Sequence, residues 1–406
     1  MNSYNWQAEL NEEQLKAVTH DDGPLLVLAG AGSGKTRVLT YRVAWLGAEK
    51  GVETEKILLL TFTNKAAGEM RDRVEKLIGR KIGFAGTFHA FSAKILRLYG
   101  EEIGLRRDFV IYDETDKKEA LKMVFKEMNL DEKTIKIAVV AGMISNAKNE
   151  MLTPDEYLGL ARGPIQRQVG EIWRRYSAKL REYGAVDFDD LLILATRLLQ
   201  NSQVREQVSE KFKYILIDEY QDTNKVQYQM TKLLVNGRDN LTVVGDFSQS
   251  IYSWRGADFR NLNYLENDFK LVKIKLEQNY RSSQTILDAA YGVIGRNTGH
   301  PILELRAVNE KGEKIKTFEA NDEREEARFV VDRIKESEDF DRFAILYRTN
   351  AQSRTFEEAF IKAGIPYVLV GGVKFYERKE IKDVLAYMRV IANPLDQVSW
   401  NRIEKN

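Results

Sequence analysis

The chain has 406 residues, of which 43% are hydrophobic and 30% charged, with only 6 prolines; it is long enough for several domains, and its composition excludes disordered and collagen-like classes. Because it has no cysteine and only 3 histidines, far apart in sequence, disulfides and thiolate metal sites are excluded and a zinc centre is not expected. The net charge of +1 neither favours nor excludes a polyanionic partner, so any nucleic acid would have to bind in local grooves.

The sequence begins with MNSYNWQAELNEEQ, which has neither the basic segment nor the apolar segment of a secretory signal. No apolar run approaches the roughly 18 residues that a membrane helix needs. We therefore expect no membrane partner and a cytoplasmic location.

Short continuous apolar runs recur along the chain and are typical of strands buried on both faces of a parallel sheet. They are PLLVLA (24–29), ILLLTF (57–62), YILIDE (214–219), LTVVGD (241–246), FAILYR (343–348) and YVLVGG (367–372). Stretches with helical apolar spacing, such as residues 65–78 and 322–336, lie between many of them. The alternation of strand and helix predicts the α/β class with parallel sheets.

Residues 106–193 interrupt this alternation, because they contain helix-like segments and no convincing buried strand. Asp113 and Thr115 are candidate caps of one helix, and Thr153 followed by Pro154 has the order of a cap and first helical position. We predict an α-helical insertion over this range.

The segment LAGAGSGKTR (28–37) follows the first predicted strand and precedes a helical pattern, as a phosphate-binding P-loop requires. Backbone N–H groups of residues 32–34 would surround a β-phosphate at the helix N-terminus. Lys35 would reach the β- and γ-phosphates, and the Thr36 hydroxyl would bind Mg²⁺. The sequence thus predicts a binding site for a nucleoside triphosphate.

The general P-loop pattern begins with glycine where this chain has Ala29, which alanine satisfies if its φ is negative. The alternative to a P-loop is a glycine-rich turn without a ligand, which GSGKT in this context disfavours. The predicted nucleotide-binding loop comprises Ala29, Gly30, Ala31, Gly32, Ser33, Gly34, Lys35 and Thr36.

The segment YILIDEYQD (214–222) supplies the acidic residues that a P-loop site needs. Asp218 and Glu219 follow a predicted strand, at the edge where open parallel sheets bind ligands. We assign Asp218 to Mg²⁺, directly or through water, and Glu219 to orienting and deprotonating the attacking water. The alternative is that the two acidic residues only keep a loop at the strand end solvated. The presence of a P-loop in the same chain favours the functional interpretation.

The stretch GDFSQSIYSWRGAD (245–258) combines a polar end with two large aromatic residues. Gln249 leaves the sheet near the same edge, where its carboxamide could sense a γ-phosphate or the attacking water. Tyr252 and Trp254 would face the same side of an extended segment and offer a stacking surface to unpaired bases. The alternative is that both aromatics pack in a core or an interface, and spacing alone does not separate the two.

The order of these motifs resembles that of superfamily 1 DNA helicases of the UvrD/Rep/PcrA family. The motifs are LNEEQ (10–14), AGAGSGKTR (29–37), TFTNKAAGEM (61–70), GTFHAF (86–91), VDFDDL (186–191), LIDEYQDTN (216–224), GDFSQSIYSWRGAD (245–258), LEQNYRS (276–282), AILYRTNAQSR (344–354) and GGVKFYERKEIKD (371–383). The resemblance covers essentially the whole chain.

The resemblance implies RecA-like motor domains of the P-loop NTPase class. The first would comprise residues 1–105 and 194–280, interrupted by a helical subdomain at 106–193. A partial second motor domain would span residues 281–395, and residues 396–406 would begin a second inserted subdomain.

The resemblance also implies ATP and Mg²⁺ as ligands. Gln14 would read the adenine, Arg37 and Tyr280 would flank the nucleotide, and Arg281 would be an arginine finger that contacts the γ-phosphate. The implied catalytic residues are Lys35, Glu219, Gln249 and Arg281.

A path for single-stranded DNA is implied as well. Its residues would be Phe62, Asn64, His89, Phe188, Tyr252, Trp254 and Arg255. Core packing of Phe62 and Phe188 and a structural role for His89 are the alternatives.

Two features depart from the family pattern. Ser248 stands where relatives usually have aspartate, and the sequence ends at Asn406, where the family continues with a second inserted subdomain, further strands and another arginine finger. From this we expect a marginal second domain, retained nucleotide binding, and weak turnover with little unwinding by this chain alone.

The leading hypothesis is an ATP-dependent helicase motor that moves along single-stranded DNA, 3′ to 5′ by resemblance, in DNA repair or replication. Its implied partners are single-stranded DNA, junctions with duplex DNA, a C-terminal helicase half and repair proteins. The alternatives are a non-motor module that binds nucleotide and single-stranded DNA, or the motor part of a helicase–nuclease complex. RNA stays open as the nucleic acid, because stacking surfaces do not detect a 2′-hydroxyl.

Overall fold

The computed structural model of the chain describes residues 5–253, 256–258, 260–297, 299, 301–337, 339–370 and 379–405. Within these residues it has 18 α-helices and 10 β-strands. None of the helices described is both long enough and apolar enough to cross a membrane.

Six strands form one parallel sheet with the order β3-β2-β6-β7-β1-β8. The strands are β1 (Leu25–Ala29), β2 (Ile57–Thr61), β3 (Phe84–Thr87), β4 (Val110–Tyr112), β5 (Ala185–Asp187), β6 (Tyr214–Ile217), β7 (Leu241–Gly245), β8 (Val272–Leu276), β9 (Gln278–Asn279) and β10 (Arg306–Ala307). Two short parallel pairs, β4 with β5 and β9 with β10, lie outside the six-stranded sheet.

The helices complete the secondary structure. They are α1 (Trp6–Glu9), α2 (Glu12–Val18), α3 (Lys35–Ala48), α4 (Asn64–Ile78), α5 (Phe88–Tyr99), α6 (Glu114–Glu127), α7 (Ile137–Asn149), α8 (Pro154–Leu160), α9 (Pro164–Glu182), α10 (Phe188–Gln200), α11 (Ser202–Lys211), α12 (Lys225–Val235), α13 (Asn261–Asp268), α14 (Gln284–Ile294), α15 (Glu323–Lys335), α16 (Ser353–Ala363), α17 (Lys379–Ala392) and α18 (Gln397–Glu404). Polar N-cap residues mark where many of these helices begin. At α8, for example, Thr153 precedes Pro154, and its side chain accepts a hydrogen bond from the Glu156 N–H.

Both faces of the large sheet are buried along its inner strands β1, β2 and β7, whereas the edge strand β8 is largely exposed. Along β1, Leu26 and Leu28 pack into one apolar cluster, whereas Leu25 and Val27 pack into the other, on the opposite face. Such two-sided burial requires apolar side chains at every position of a strand, which explains the continuous apolar runs. The predictions of an α/β fold and of strands within 24–29, 57–62, 214–219 and 241–246 are confirmed, while β3 and β8 were not predicted.

The segment between β4 and β5 contains α6 to α9, packed around a cluster that includes the buried Trp173 and Tyr176. The expectation of no buried strand in residues 106–193 is wrong, because β4 and β5 lie there and pair in parallel. Each has only three residues, too few for a visible apolar run, and their pairing is created by folding of the helices between them.

Two compact units divide the chain: residues 1–312 with 386–406, and residues 313–385. This division reflects packing alone. The boundaries of the two motor domains and of the helical subdomain therefore stay predictions. In the second unit, α15 and α16 pack through buried residues such as Val331 and Phe356.

The strands predicted at 343–348 and 367–372 are wrong where the structure describes them. Residues 343–348 and 367–370 are irregular, and residues 371 and 372 lie outside the described part of the chain. Leu346, Val368 and Val370 are 95%, 87% and 88% exposed. A parallel strand satisfies its N–H and C=O groups on a neighbouring strand, and no described segment of this unit pairs with these residues.

Candidate functional site

The P-loop links β1 to α3 through a tightly folded backbone. Gly32 and Gly34 have φ values of 72° and 90°, a left-handed region that favours glycine. The buried Ser33 hydroxyl donates a hydrogen bond of 2.7 Å to the Gly30 carbonyl. Ala29 ends β1 and is not among the residues with positive φ, so alanine meets the backbone requirement at this position. The loop presents backbone N–H groups at the start of a 14-residue helix, a geometry suited to phosphate.

Gln14 packs against this loop from α2. Its Nε2 donates to the Ser33 carbonyl at 2.9 Å, and its Oε1 accepts from the Asn11 N–H within a capping box. The Asn11 side-chain amide in turn donates to the Tyr280 hydroxyl at 2.8 Å. Two of the predicted nucleotide-binding residues, Gln14 and Tyr280, are thereby joined through Asn11.

Arg37 and Arg281 lie near the same loop. Arg37 pairs with Glu9 at 3.1 Å, and its guanidinium lies 5.2 Å from the centre of the Tyr41 ring. Arg281 is exposed, and a Cβ built on Gly32 would lie only 2.6 Å from the Arg281 Cβ. The structure therefore places the base of the Arg281 side chain directly against the P-loop.

The acidic pair follows β6, which is separated from β1 by β7. The Glu219 carboxylate nevertheless lies 3.4 Å from the Lys35 ammonium nitrogen. Glu219 has φ 51° and ψ 46°, a left-handed conformation that is uncommon for a residue with a side chain. The carboxyl end of the sheet thus brings Lys35 and Glu219 together, with the Glu219 backbone held in a strained form.

The electrostatics of this edge suit a cation. Burial, with the neighbouring Glu219 charge, raises the pKa of Asp218 to about 7, although Lys35 opposes the shift. Burial and Glu219 likewise raise the pKa of Asp222 to about 6, and Asp222 Oδ1 is buried without a hydrogen-bond partner. These carboxylates lack enough positive charge of their own, and a bound cation would lower both pKa values.

Mg²⁺ fits the donors at this edge. Among the described residues there is no group of three His, Cys, Asp or Glu side chains that could hold a metal. Mg²⁺ characteristically takes one or two protein ligands and obtains the others from phosphates and water. The Thr36 hydroxyl and the Asp218 carboxylate, the predicted ligands, are of that kind.

Gln249 and its neighbours follow β7, between β6 and β1. The Gln249 side-chain amide donates to the buried Asp246 carboxylate at 2.6 Å, and Asp246 also accepts from the Ser248 N–H at 3.1 Å. The structure therefore places Gln249 at the carboxyl edge of the sheet, with its amide turned toward Asp246.

Two aromatic pairs follow strands of the same fold. Phe62, just after β2, lies with its ring centre 4.8 Å from that of Tyr252 at an interplanar angle of 32°. His89 and Phe188 meet edge to face at 5.9 Å, and Phe188 is 42% exposed. Asn64, at the start of α4, is exposed. The other predicted DNA contacts, Trp254 and Arg255, lie outside the described residues.

Buried ion pairs surround the turn that carries Phe188. Lys148 of α7 lies 2.7 Å from Asp187 and 2.6 Å from Asp190. Lys117 of α6 lies 3.0 Å from Asp189. Both lysine side chains are almost fully buried, so the residues on either side of Phe188 are tied to the helical segment by charge.

Sequence reasoning assigned no role to several residues that shape this site. The buried Asn279 donates to the Ala31 carbonyl and accepts from the N–H groups of Arg281 and Ser282. Gln221 bonds to Glu219, and Glu9 pairs with Arg37. Asn279 lies in the motif LEQNYRS (276–282), and Gln221 lies in the motif LIDEYQDTN (216–224). Their position close to the assigned residues Tyr280 and Glu219 is the only sequence signal for a role in the site.

Replacing Gly34 by alanine is expected to reduce both stability and nucleotide affinity. A left-handed φ costs a residue with a side chain about 1 to 2 kcal/mol, and the new Cβ would lie 2.7 Å from Gln14 Nε2. Gly79, at the C-terminus of α4, is the matched control, because its φ is 64° but a Cβ added there would meet nothing within 4 Å. Urea unfolding and fluorescent-nucleotide binding would measure the two effects; equal nucleotide affinity in both variants would contradict a phosphate site at this loop.

Comparison with known proteins adds to this geometry. The family described as "UvrD/REP helicase N-terminal domain" matches residues 10–270, and "UvrD-like helicase C-terminal domain" matches residues 274–406. The chain is similar to ATP-dependent DNA helicase PcrA of Staphylococcus epidermidis (48% identical) and of Staphylococcus aureus (47% identical), each over 402 residues and 97% of this chain. The chain spans about half, 55%, of the length of these curated relatives.

Proposed function

The chain belongs to the UvrD/REP helicase family, and from that premise we propose that it hydrolyses ATP with Mg²⁺ and couples hydrolysis to movement along single-stranded DNA. The observation that carries this proposal is the 3.4 Å approach of Lys35 to Glu219 beside a P-loop. An aromatic pair, Phe62 with Tyr252, follows strands of the same sheet. Lys35 and Glu219 on one side and the aromatic pair on the other, both following strands of one sheet, support a motor that couples phosphoryl transfer to base stacking.

In the proposed reaction, the P-loop N–H groups and Lys35 hold the triphosphate by its charge. The oxygen of a water molecule bonds to the γ-phosphorus while the bond from that phosphorus to the β–γ bridging oxygen breaks, and ADP leaves. Glu219 accepts the proton that the water loses. Mg²⁺, held through Thr36 and Asp218, supplies positive charge to the phosphate oxygens when it is bound.

Other residues take supporting roles in this proposal. Gln14 contacts the adenine, with Arg37 and Tyr280 beside the nucleotide. Gln249 senses the γ-phosphate or the water, and Arg281 stabilises the charge that develops in the transition state.

The proposed nucleic-acid partner is single-stranded DNA and its junctions with duplex DNA. Exposed rings such as Phe188 offer stacking surface that every base can use. We propose 3′-to-5′ movement in DNA repair or replication, in the cytoplasm, with a C-terminal helicase half or repair proteins as protein partners.

The test is steady-state ATP hydrolysis by the chain, with and without oligo(dT). We expect stimulation by oligo(dT), and we expect Tyr252→Ala to raise the oligo(dT) concentration needed for half-stimulation by about 5- to 150-fold, because one stacked base contributes about 1 to 3 kcal/mol. Tyr264→Ala is the matched control, since Tyr264 is 43% exposed and also packs on another tyrosine, Tyr228. Binding of nucleotide and DNA without any hydrolysis would instead assign the chain to the non-motor modules.

A further inference from the structure

The side chain of Gln221 joins the acidic pair to the loop that follows β7. Gln221 lies in the turn Tyr220–Asp222, directly after Glu219, and is only 2% exposed. Its Nε2 donates to Glu219 Oε2 at 2.8 Å. Its Oε1 accepts from the Asp246 N–H at 3.0 Å. The same Nε2 makes a longer contact, 3.4 Å, with Asp222 Oδ2, so one buried amide donates to carboxylates and accepts from the loop.

A second bond ties the same residue to the loop. The Ser250 hydroxyl donates to the backbone carbonyl of Gln221 at 3.2 Å. Gly245 makes room for the amide, because a Cβ built there would lie 2.8 Å from Gln221 Oε1. Residues 245–250 are therefore shaped around Gln221 over both its side chain and its backbone.

The bond to Glu219 determines which carboxylate oxygen remains for water. Gln221 and Lys35 both approach the same oxygen, Oε2 of Glu219. The other oxygen, Oε1, is then the one to receive a proton from the attacking water. Because Gln221 and Lys35 both contact the Glu219 carboxylate, loss of the Gln221 hydrogen bond would change how that carboxylate is held.

The loop leads on to the aromatic pair. Ser250, which bonds to Gln221, is two residues from Tyr252, whose ring packs on Phe62. A change in the stacking of Tyr252 therefore has a short covalent and hydrogen-bonded route to the Glu219 carboxylate.

We propose that Gln221 is a positioning residue that orients the Glu219 carboxylate and links its orientation to the loop 245–252. This inference rests on the proposed ATP hydrolysis. It assigns Gln221 no contact with the nucleotide, so its loss should change the rate of hydrolysis and leave nucleotide affinity unchanged.

Two substitutions of Gln221 test the roles of its side-chain donor and its side-chain acceptor. Gln221→Met keeps the length of the side chain and removes its hydrogen bonds to Glu219, Asp222 and Asp246. Gln221→Glu keeps the shape and an acceptor for the Asp246 N–H, but it cannot donate to Glu219 when ionised. We expect both to lower the rate at saturating ATP by about 10- to 100-fold, the scale for a misplaced reacting group, with unchanged affinity for a non-hydrolysable ATP analogue.

Gln227→Met is the matched control. Gln227 is also a buried glutamine, and its Oε1 accepts from a backbone N–H, that of Asn224, at 2.9 Å. It lies in α12 of the same unit and makes no hydrogen bond to Glu219 among those described. Its substitution is expected to leave the rate of hydrolysis as in the unaltered chain, and an equal loss in both methionine variants would overturn the proposal.

A double-mutant comparison with Glu219→Gln tests whether Gln221 acts through Glu219. Single-turnover hydrolysis would be measured for both single variants and for the double variant. If Gln221 acts through the carboxylate, Gln221→Met should have no further effect once Glu219 is replaced. Multiplication of the two losses would show a separate structural defect and overturn the proposal.

Hydrogen exchange supplies a readout that needs no turnover. Adding a non-hydrolysable ATP analogue should slow exchange of amides in residues 245–252 of the unaltered chain, and this response should disappear in Gln221→Met although the analogue still binds. If the unaltered chain does not hydrolyse ATP, the proposed function fails, and the exchange result still decides the role of Gln221 as a link. An identical response in both proteins would overturn that role.

Discussion

Replacing Lys35 by alanine is expected to lower DNA-stimulated ATP hydrolysis by about 10²- to 10³-fold, the usual effect of losing one preorganised donor to charge that develops in a transition state. Lys35 is the positive side chain closest to Glu219 in the P-loop, at 3.4 Å, and only 11% of its side chain is exposed. Nucleotide affinity should fall as well, because the ammonium group also neutralises the bound triphosphate. Steady-state hydrolysis and fluorescent-nucleotide binding measure the two effects.

Lys65→Ala is the control for the loss of a lysine. Lys65 lies at the start of α4, with 88% of its side chain exposed and only a weak pair, 4.0 Å, with Glu69. We expect its substitution to leave the rate of hydrolysis unchanged. Hydrolysis by Lys35→Ala at the rate of the unaltered chain would contradict the assignment of this P-loop to catalysis.

Replacing Lys148 by methionine is expected to destabilise the helical segment by about 3 to 5 kcal/mol, the usual result of removing one partner from a buried ion pair. The Lys148 side chain is 3% exposed and lies between Asp187 and Asp190. Without it, the buried Asp187 carboxylate and the partly buried Asp190 carboxylate face each other at the start of α10, with Lys117 the remaining nearby cation, 3.9 Å from Asp187. Urea unfolding and hydrogen exchange over residues 137–200 would measure the loss.

The pH dependence of this loss has a definite sign. Burial disfavours the charge of Lys148, but Asp187 and Asp190 outweigh it and hold the pKa of Lys148 above its ordinary value. Burial likewise disfavours the charge of Asp187, but Lys148 outweighs it and holds the pKa of Asp187 below its ordinary value. Their stabilisation is therefore present between about pH 4 and pH 10, and it is lost as the pH falls through the folded pKa of Asp187 or rises through that of Lys148.

Asp190 contributes in the opposite direction. Burial and the Asp187 charge raise the pKa of Asp190 to about 6, so its ionisation lowers stability as the pH rises from about 4 to 6. In Lys148→Met both carboxylates lose their main cation, and protonation relieves them. The deficit should therefore be larger at pH 7 than at pH 5, and a deficit that does not depend on pH would contradict the ion-pair explanation.

Two further variants control this experiment. Lys122→Met removes an ion pair with Glu119 in which the two side chains are 51% and 35% exposed, and we expect little change. Asp187→Asn combined with Lys148→Met removes one of the uncompensated charges while asparagine keeps its ability to cap α10. The double variant should lose less stability than the sum of the two single variants.

The apolar runs and the P-loop were accessible from sequence because their signals are local. Burial on both faces of a strand demands a continuous apolar run, as in β1 and β7, and the spacing from Gly30 to Lys35 carries the geometry of the loop. The predictions of strands at 343–348 and 367–370 are wrong because they rested on the apolar runs alone. An apolar run becomes a strand only where another strand accepts its hydrogen bonds, and composition does not report that partner.

The buried ion pair of Lys148 could not be predicted from the sequence, because it too depends on a partner that local composition does not report. Lys148 stands in a helix of ordinary composition, and nothing in its sequence neighbours distinguishes it from an exposed lysine. Only the packing of α7 and α9 against the start of α10 brings it to Asp187, a residue far away in the chain.

By itself, the sequence determined the α/β class, the position of the P-loop, and the acidic and aromatic residues that follow the strands, because each depends on residue types at fixed local spacing. Only the tertiary structure decided that Lys35 meets Glu219 across an intervening strand, that Asn279 and Arg281 lie against the P-loop, and that Gln221 joins Glu219 to Asp246. Most of these contacts join segments that follow different strands. They exist because a parallel sheet gathers the carboxyl ends of all its strands at one edge, and the order of those strands is set by folding of the whole chain.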